Sequence, residues 1–250
     1  MQPYLTLVRR ELTAYFNSFL GYVIIAAFQF LLGLSFVLLL KSADGQPLDT
    51  PVTERFFMTG FFWLILLLGA PVITMRTFAL EKFSGTFETL MTTPVTDLQV
   101  VMAKFTGSLL FYLLAWLPAL AYPYLLRYNS INLPPIDPGT IVSTFVGILL
   151  FGSFYLAMGC FASSLTRAQV IAAMITFALG LGLFLLSFLS TIVPVTPGWQ
   201  SKLYSHISMV EHMRDFTRGM VDTRFVVFYL SLTVSFLFFT LKVVESRRWK

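Results

Sequence analysis

Charge and cysteine are both scarce in this 250-residue chain: Asp, Glu, Lys and Arg make up 12% of it, and Cys160 is its one thiol. A single cysteine excludes an intrachain disulfide, and its place inside an apolar run reads as a small buried side chain. The two histidines, His206 and His212, are six residues apart. They fall about 240° apart around a helix and share no face, so they do not form a helical metal pair and read as polar-face residues. Glu211 and Asp215 read as local helical partners of Arg214 and Arg218. Neither a G-x-x-x-x-G-K-[ST] loop nor a G-x-S-x-G elbow occurs, which excludes a phosphate-loop ATPase or an α/β-hydrolase built from these residues. No charge lies near the middle of any long apolar run, where the polar groups are neutral Gln29, Ser35, Ser153 and Thr176. Ion-coupled carriers and voltage sensors need charges matched in low dielectric, and ion channels need charged rings or carbonyl filters, so these classes are disfavoured.

What the chain has in abundance is apolar surface. Apolar residues make up 57% and aromatics 16%, with a mean hydropathy of +0.79, the composition of a polytopic membrane protein. Charge-free runs over 19–40, 56–75, 105–126, 141–165, 168–193 and 225–241 predict six transmembrane helices in one all-α domain spanning 1–250. An even number of spans puts both termini on one side. That side carries ten Lys or Arg and five acids, the other seven of each, so the positive-inside bias favours cytoplasmic termini. The first run exceeds the roughly 7–15 residues of a secretory signal, and Lys41-Ser42-Ala43-Asp44 offers no small-x-small cleavage site.

Residues 1–18 place Leu5, Val8, Leu12, Tyr15 and Phe16 near one helical face, opposite Arg9, Arg10 and Thr13. They read as an interfacial amphipathic helix, or else as an extension of the first span. Residues 195–224 repeat the pattern through Leu203, Ile207, Val210, Met213, Phe216 and Met220, giving an external amphipathic helix that is either a packed lid or a substrate contact. The stretches 41–55 and 129–139, with Pro47, Pro51, Pro134, Pro135 and Pro138, read as connectors. Pro118 and Pro123 should kink the third span, and Gly180 and Gly182 thin the fifth, marking places to bend or pack closely. No GxxxG marks a dimer face. The 27 phenylalanines read as ordinary lipid-facing residues or else as the lining of a lipid-like pathway, and none is assigned to a substrate. Arg76, where the second span leaves the membrane, is placed to snorkel to phosphate.

Between spans two and three lies Glu81-Lys82-Phe83-Ser84-Gly85-Thr86-Phe87-Glu88-Thr89-Leu90-Met91-Thr92-Thr93-Pro94. Ser84, with Glu88 near the capping-box offset, predicts a short helix stopped at Pro94, and Thr96 or Asp97 then caps the next one. The segment resembles the coupling loop of type-2 ABC exporter permeases, E-x-x-x-G-T-x-E-x-L-x-x-x-P, matched at Glu81, Gly85, Thr86, Glu88, Leu90 and Pro94. Arg10-Glu11-Leu12 with Tyr15-Phe16-Asn17-Ser18, Ala70-Pro71 to Met75-Arg76, Lys104-Phe105, Phe161 to Arg167 and Glu245 to Trp249 resemble the gliding-motility and copper-maturation branch of those permeases.

The resemblance implies a non-catalytic permease subunit, paired with a second copy or a sister permease in a bacterial cytoplasmic membrane. Its segment 81–99 would dock on a separate pair of ATP-binding subunits that hold ATP and Mg²⁺. Glu81 and Glu88 would be the charged contacts and Leu90 the apolar anchor, and Gly85 would allow close approach. Cofactors are expected on the partner, none in this chain. An extracytoplasmic accessory protein, if present, would be a separate chain; membrane lipids are partners and nucleic acid is not. The competing reading is a membrane scaffold that docks partners without transporting anything. For topology, a cysteine replacing Gly45 is expected to react with an impermeant thiol reagent in intact cells, and one replacing Ser84 is not. The reverse labelling pattern would invert the orientation.

Overall fold

The computed structural model describes residues 2–43, 52–87, 95–129, 137–188 and 206–248, helices joined by short turns and without a strand among them. Among the described residues six helices are long and apolar enough to span a membrane: Phe19–Lys41, Gly60–Ser84, Asp97–Leu125, Pro138–Leu165, Gln169–Leu186 and Thr223–Ser246. The third begins a little over two turns before its apolar run, because Thr96 caps it. The Thr96 hydroxyl accepts from the Gln99 N–H at 3.3 Å while the Gln99 side chain accepts from the Thr96 N–H at 3.2 Å, a reciprocal capping box. Lys104 is thereby drawn into the helix rather than left in a loop.

Named in chain order, the helices that position the rest are α1 (Gln2–Phe16), α2 (Phe19–Ala43), α3 (Val52–Phe57), α4 (Gly60–Thr74), α5 (Ala79–Ser84) and α6 (Asp97–Trp116). They are followed by α7 (Ala121–Asn129), α8 (Pro138–Leu165), α9 (Gln169–Leu186), α10 (Met209–Thr217) and α11 (Thr223–Arg248). Between α6 and α7 the chain tightens to a 3₁₀ turn over Leu117–Leu120, with Pro118 in its first positions. There Gln29 of α2 donates to the Ala115 carbonyl at 2.8 Å, satisfying a backbone acceptor beside the change of helix type.

Helix α8 is the axis. Lipid is as apolar as leucine, so helices in a membrane associate through close packing, and small residues set how near they come. Over its most apolar window α8 is 78% buried, whereas α9 and α11 are 17% buried and present most of their surface outward. A Cβ at Gly152 would lie 2.2 Å from the Tyr112 ring of α6, and one at Gly159 would lie 2.0 Å from Thr74 Oγ1 of α4. Gly180 admits Tyr155, whose hydroxyl donates to the Gly180 carbonyl at 3.2 Å; at Gly182 a Cβ would meet nothing within 4 Å, so the close approach belongs to Gly180. Helices α4, α8 and α11 run the same way: Trp63 and Tyr229 meet Phe151, while Thr74 and Phe239 lie near Gly159 and Phe161. The end of α11 therefore lies at the same end of the bundle as α1, which is tied to α5 and α6 through Arg10–Glu81 and Glu11–Lys104; this end is the terminal face.

At the opposite face three sequence expectations change. Residues within the expected connector 41–55 form α3, where Glu54 takes both Arg218 nitrogens at 2.9 Å and approaches Arg214 at 3.7 Å. The two arginines therefore make their ion pairs across the fold, with Glu54, while Asp215 feels their charge without a direct pair. His212 is fully buried, stacked 3.9 Å from Phe225 with Nδ1 2.8 Å from the Tyr229 hydroxyl, so it is no polar-face residue. Within 195–224 an amphipathic helix spans Met209–Thr217 only, with Met213 and Phe216 packed inward; Leu203 lies outside the described residues. Leucine at Gly159 would force a side chain into Thr74, with overpacking costs of about 1–3 kcal/mol. The melting temperature of Gly159→Leu in detergent is expected to fall, and an unchanged value would show that α4 and α8 have room to separate.

Candidate coupling site

At the terminal face, α5 leaves α4 through the turn at Met75–Phe78 and ends at Gly85, whose φ of 73° is the left-handed value glycine tolerates. A Cβ there would meet nothing within 4 Å of this chain, so within the fold it is the backbone turn that calls for glycine. Ser84 is the last residue of α5 and not the start of a new helix; its hydroxyl donates to the Glu81 carbonyl at 3.3 Å and lies 2.8 Å from that of Thr86. Phe83, Ser84, Gly85 and Thr86 are exposed in sequence, Phe83 by 76%. Glu88, Leu90 and Pro94, and with them the expected Ser84–Glu88 capping pair, lie outside the described residues.

Short α5 has no side-chain cap of its own at its N-terminus, and α8 supplies one. The Ser163 hydroxyl accepts from the backbone N–H groups of Phe78 and Ala79, both at 3.1 Å, and donates to the Met75 carbonyl at 3.3 Å. One turn on, Lys82 donates to the Ser164 carbonyl at the end of α8, and its ammonium sits 5.3 Å over the Phe87 ring. Both ends of α5 are thus tied to the last turn of the axial helix.

Glu81 faces inward. Its side chain is 18% exposed and its Oε1 lies 2.9 Å from Lys104 and 3.1 Å from Arg10; Oε2 is buried without a hydrogen-bond partner among the described residues. Glu11 of α1 completes a quartet, 2.8 Å from Arg10 and 3.1 Å from Lys104. Lys104 is 3% exposed and also lies 5.4 Å over the Phe78 ring. Burial works to raise the Glu11 pKa, but the charges and hydrogen bonds of Lys104 and Arg10 outweigh it and hold the carboxyl below its usual range. Glu11 is therefore ionised at neutral pH, as the pairing requires. Close packing brings α1 to this position: a Cβ at Gly107 would lie 2.8 Å from that of Glu11. Tyr15 reinforces it, its hydroxyl donating to the Ile73 carbonyl at 2.9 Å and lying 3.0 Å from Ser108. Helix α1 is separated from α2 by the turn at Asn17–Ser18 and packs along α6, so it does not extend the first span; Val8 is buried, whereas Leu5 is exposed.

Of the residues the loop pattern singled out, Glu81 lies in α5, Gly85 ends it, and Thr86 is helical again just after that turn. Pro118, Pro123, Gly180 and Gly182 lie along α6 to α9, away from this site. The residues that hold α5 in place, Arg10, Glu11, Lys104, Ser163 and Ser164, were visible in the sequence only as parts of short motifs at span ends.

A family model described as ABC-2 family transporter protein matches residues 43–210, two-thirds of the chain. The chain belongs to that family. No curated protein matches it. This ABC-2 protein is accordingly a membrane-embedded permease component, of a kind that is generally not catalytic and that implies an ATP-binding partner subunit. The matched residues contain α4, α5 and α8, while α1, with Arg10 and Glu11, precedes them. Replacing Lys104 by methionine would leave two carboxylates facing each other with Arg10 alone, and uncompensated buried charge costs about 3–5 kcal/mol. A marked drop in the melting temperature of Lys104→Met is expected, relieved in part by adding Glu11→Gln. Equal stability of the single variant and the parent would show that the quartet is solvated.

Proposed function

We propose that this permease couples ATP hydrolysis by a separate subunit pair to movement of its spans, docking through the segment from Glu81 to Pro94. The observation that carries this reading is the double tie between α5 and the last turn of α8. A push on the exposed Phe83–Thr86 surface acts directly on the most buried helix of the bundle, which suits rigid-body transmission. In this reading Thr86, Glu88 and Leu90 meet the partner, Gly85 and Pro94 delimit the docking segment, and Glu81 positions α5 through Lys104 and Arg10 instead of touching the ATPase. ATP and Mg²⁺ belong to the partner. Two permease halves, identical or sister, form the pathway; Pro118 and Pro123 let α6 and α7 bend, and the close contact at Gly180 lets α9 shift against α8.

The terminal face is cytoplasmic in this proposal, the membrane is a bacterial inner membrane, the direction is export, and any extracytoplasmic accessory protein is a separate chain. The short motifs at the span ends favour the gliding-motility and copper-maturation branch. Mild-detergent purification of the tagged chain from its native membrane, followed by ATPase assay, tests the reading. The parent is expected to bring down a stoichiometric ATPase, and Glu88→Arg to lose it while staying folded, because an exposed loop charge contributes little to stability. Ser163→Ala, which removes the cap on α5 at a cost of about 1 kcal/mol, is expected to keep the ATPase but weaken its stimulation. Recovery of the parent without an ATPase would favour a scaffold, and unchanged ATPase binding by Glu88→Arg would remove that residue from the contact.

A further inference from the structure

Beside the quartet lies a cavity of about 270 Å³, lined by Arg10, Glu11, Ala14, Arg76, Glu81 and Lys104 among others. Its charges do not balance. Each of the two carboxylates lies against both Lys104 and Arg10, so those four side chains neutralise one another. Arg76 is left over. It is half-buried, its Nη1 donates to the Ser18 hydroxyl at 2.9 Å, and no carboxylate among the described residues pairs with it. A guanidinium in that state retains fork-shaped donors for a planar or tetrahedral oxyanion.

The position of the cavity says which oxyanion is at hand. Ser18 is the turn residue before α2, and the next aromatic side chains, Phe19 and Tyr22, are 84% and 59% exposed, as rings at a membrane–water boundary are. Arg76 lies just past the end of α4 at the same level. At that depth the abundant oxyanion is the phosphodiester of a phospholipid. The cavity has room for about nine waters at ~30 Å³ each, enough for a phosphate with part of its glycerol. We propose that this cavity is a phosphate site that takes a phospholipid headgroup, with Arg76 as its principal donor and Arg10 as the second. Arg10 is the half-exposed member of the quartet, so it can share its donors with a ligand, whereas Lys104 is enclosed. A bound phosphate would then draw on the same arginine that holds Glu81, linking headgroup occupancy to the placement of α5.

The site is tested on the full chain, delipidated in detergent, by native mass spectrometry with phosphatidylglycerol, phosphatidylcholine or diacylglycerol added. The two phospholipids are expected to occupy one site that diacylglycerol, lacking phosphate, does not. Arg76→Gln should lower that occupancy by about tenfold or more, as loss of a charge-assisted bidentate contact does, and Arg76→Lys by less. Because a variant at Arg76 can also disturb the Ser18 turn, Ala14→Trp provides a second probe that blocks the cavity from its exposed wall without altering a charge. It should lower occupancy as well. Inorganic phosphate supplies the other arm: if it raises the melting temperature of the parent but not of Arg76→Gln, while no phospholipid is retained, the oxyanion site stands and its source is soluble. Equal phospholipid occupancy in the parent, Arg76→Gln and Ala14→Trp, or occupancy by diacylglycerol equal to that by the phospholipids, would overturn the proposal.

Discussion

An ammonium group carried into the base of a membrane helix has to be neutralised where it stands, and much of the terminal face is organised around that demand. Lys104 enters α6 because the Thr96–Gln99 cap starts the helix early. Once inside it is 3% exposed, and two carboxylates from distant parts of the chain converge on it. Glu11 brings α1 against α6, and Glu81 brings α5 beneath α4. Without the lysine, two acids would stand together at low dielectric, a far worse arrangement than either alone. The close packing at Gly107 and the Tyr15 hydrogen bonds fix the approach, but charge matching sets which residues must meet.

A second constraint, the steric one, acts along α8. Its glycines let α4 and α6 come within contact of the helix backbone, and its last turn holds α5 through a serine hydroxyl and a backbone carbonyl. The two constraints meet in α5, which is bonded on one side to the axial helix and on the other to the ion quartet. A helix of only six residues would not persist alone, since nucleation is costly and each end leaves backbone groups unpaired. Its existence depends on both neighbours, which is why its position reports on theirs.

The six spans were legible because the absence of charge over twenty residues has one common physical meaning. The cap at Thr96 was legible for a similarly local reason, and Pro118 marked a kink there that the structure renders as a 3₁₀ turn. Pairings across the fold were not. Glu81 reads as an outward contact when only its neighbours are considered, because nothing nearby in sequence says that Glu11 and Lys104 will stand beside it. Arg218 reads as the helical partner of Asp215 until α3 supplies Glu54. His212 carries a charged-helix neighbourhood in sequence, yet its ring is enclosed by Phe225 and Tyr229 from α11. In each case the missing information was the partner's location, which periodicity does not encode. Ser163 shows the same limit from the other side: a serine visible only within a span-end motif becomes a cap for a different helix.

The two faces also differ in how deeply their ion pairs are set. Glu54 is nearly enclosed, but its partners Arg214 and Arg218 keep 48% and 44% of their side-chain surface in the open. Dissolved electrolyte screens such pairs over roughly 8–10 Å at ordinary ionic strengths and scarcely reaches a buried one. Raising the salt concentration therefore weakens the latch between α3 and α10 while leaving the enclosed Lys104 pairs almost untouched. The bundle is held by a salt-sensitive clasp at one end and a salt-resistant one at the other, so the ionic strength of a single compartment can loosen one end alone.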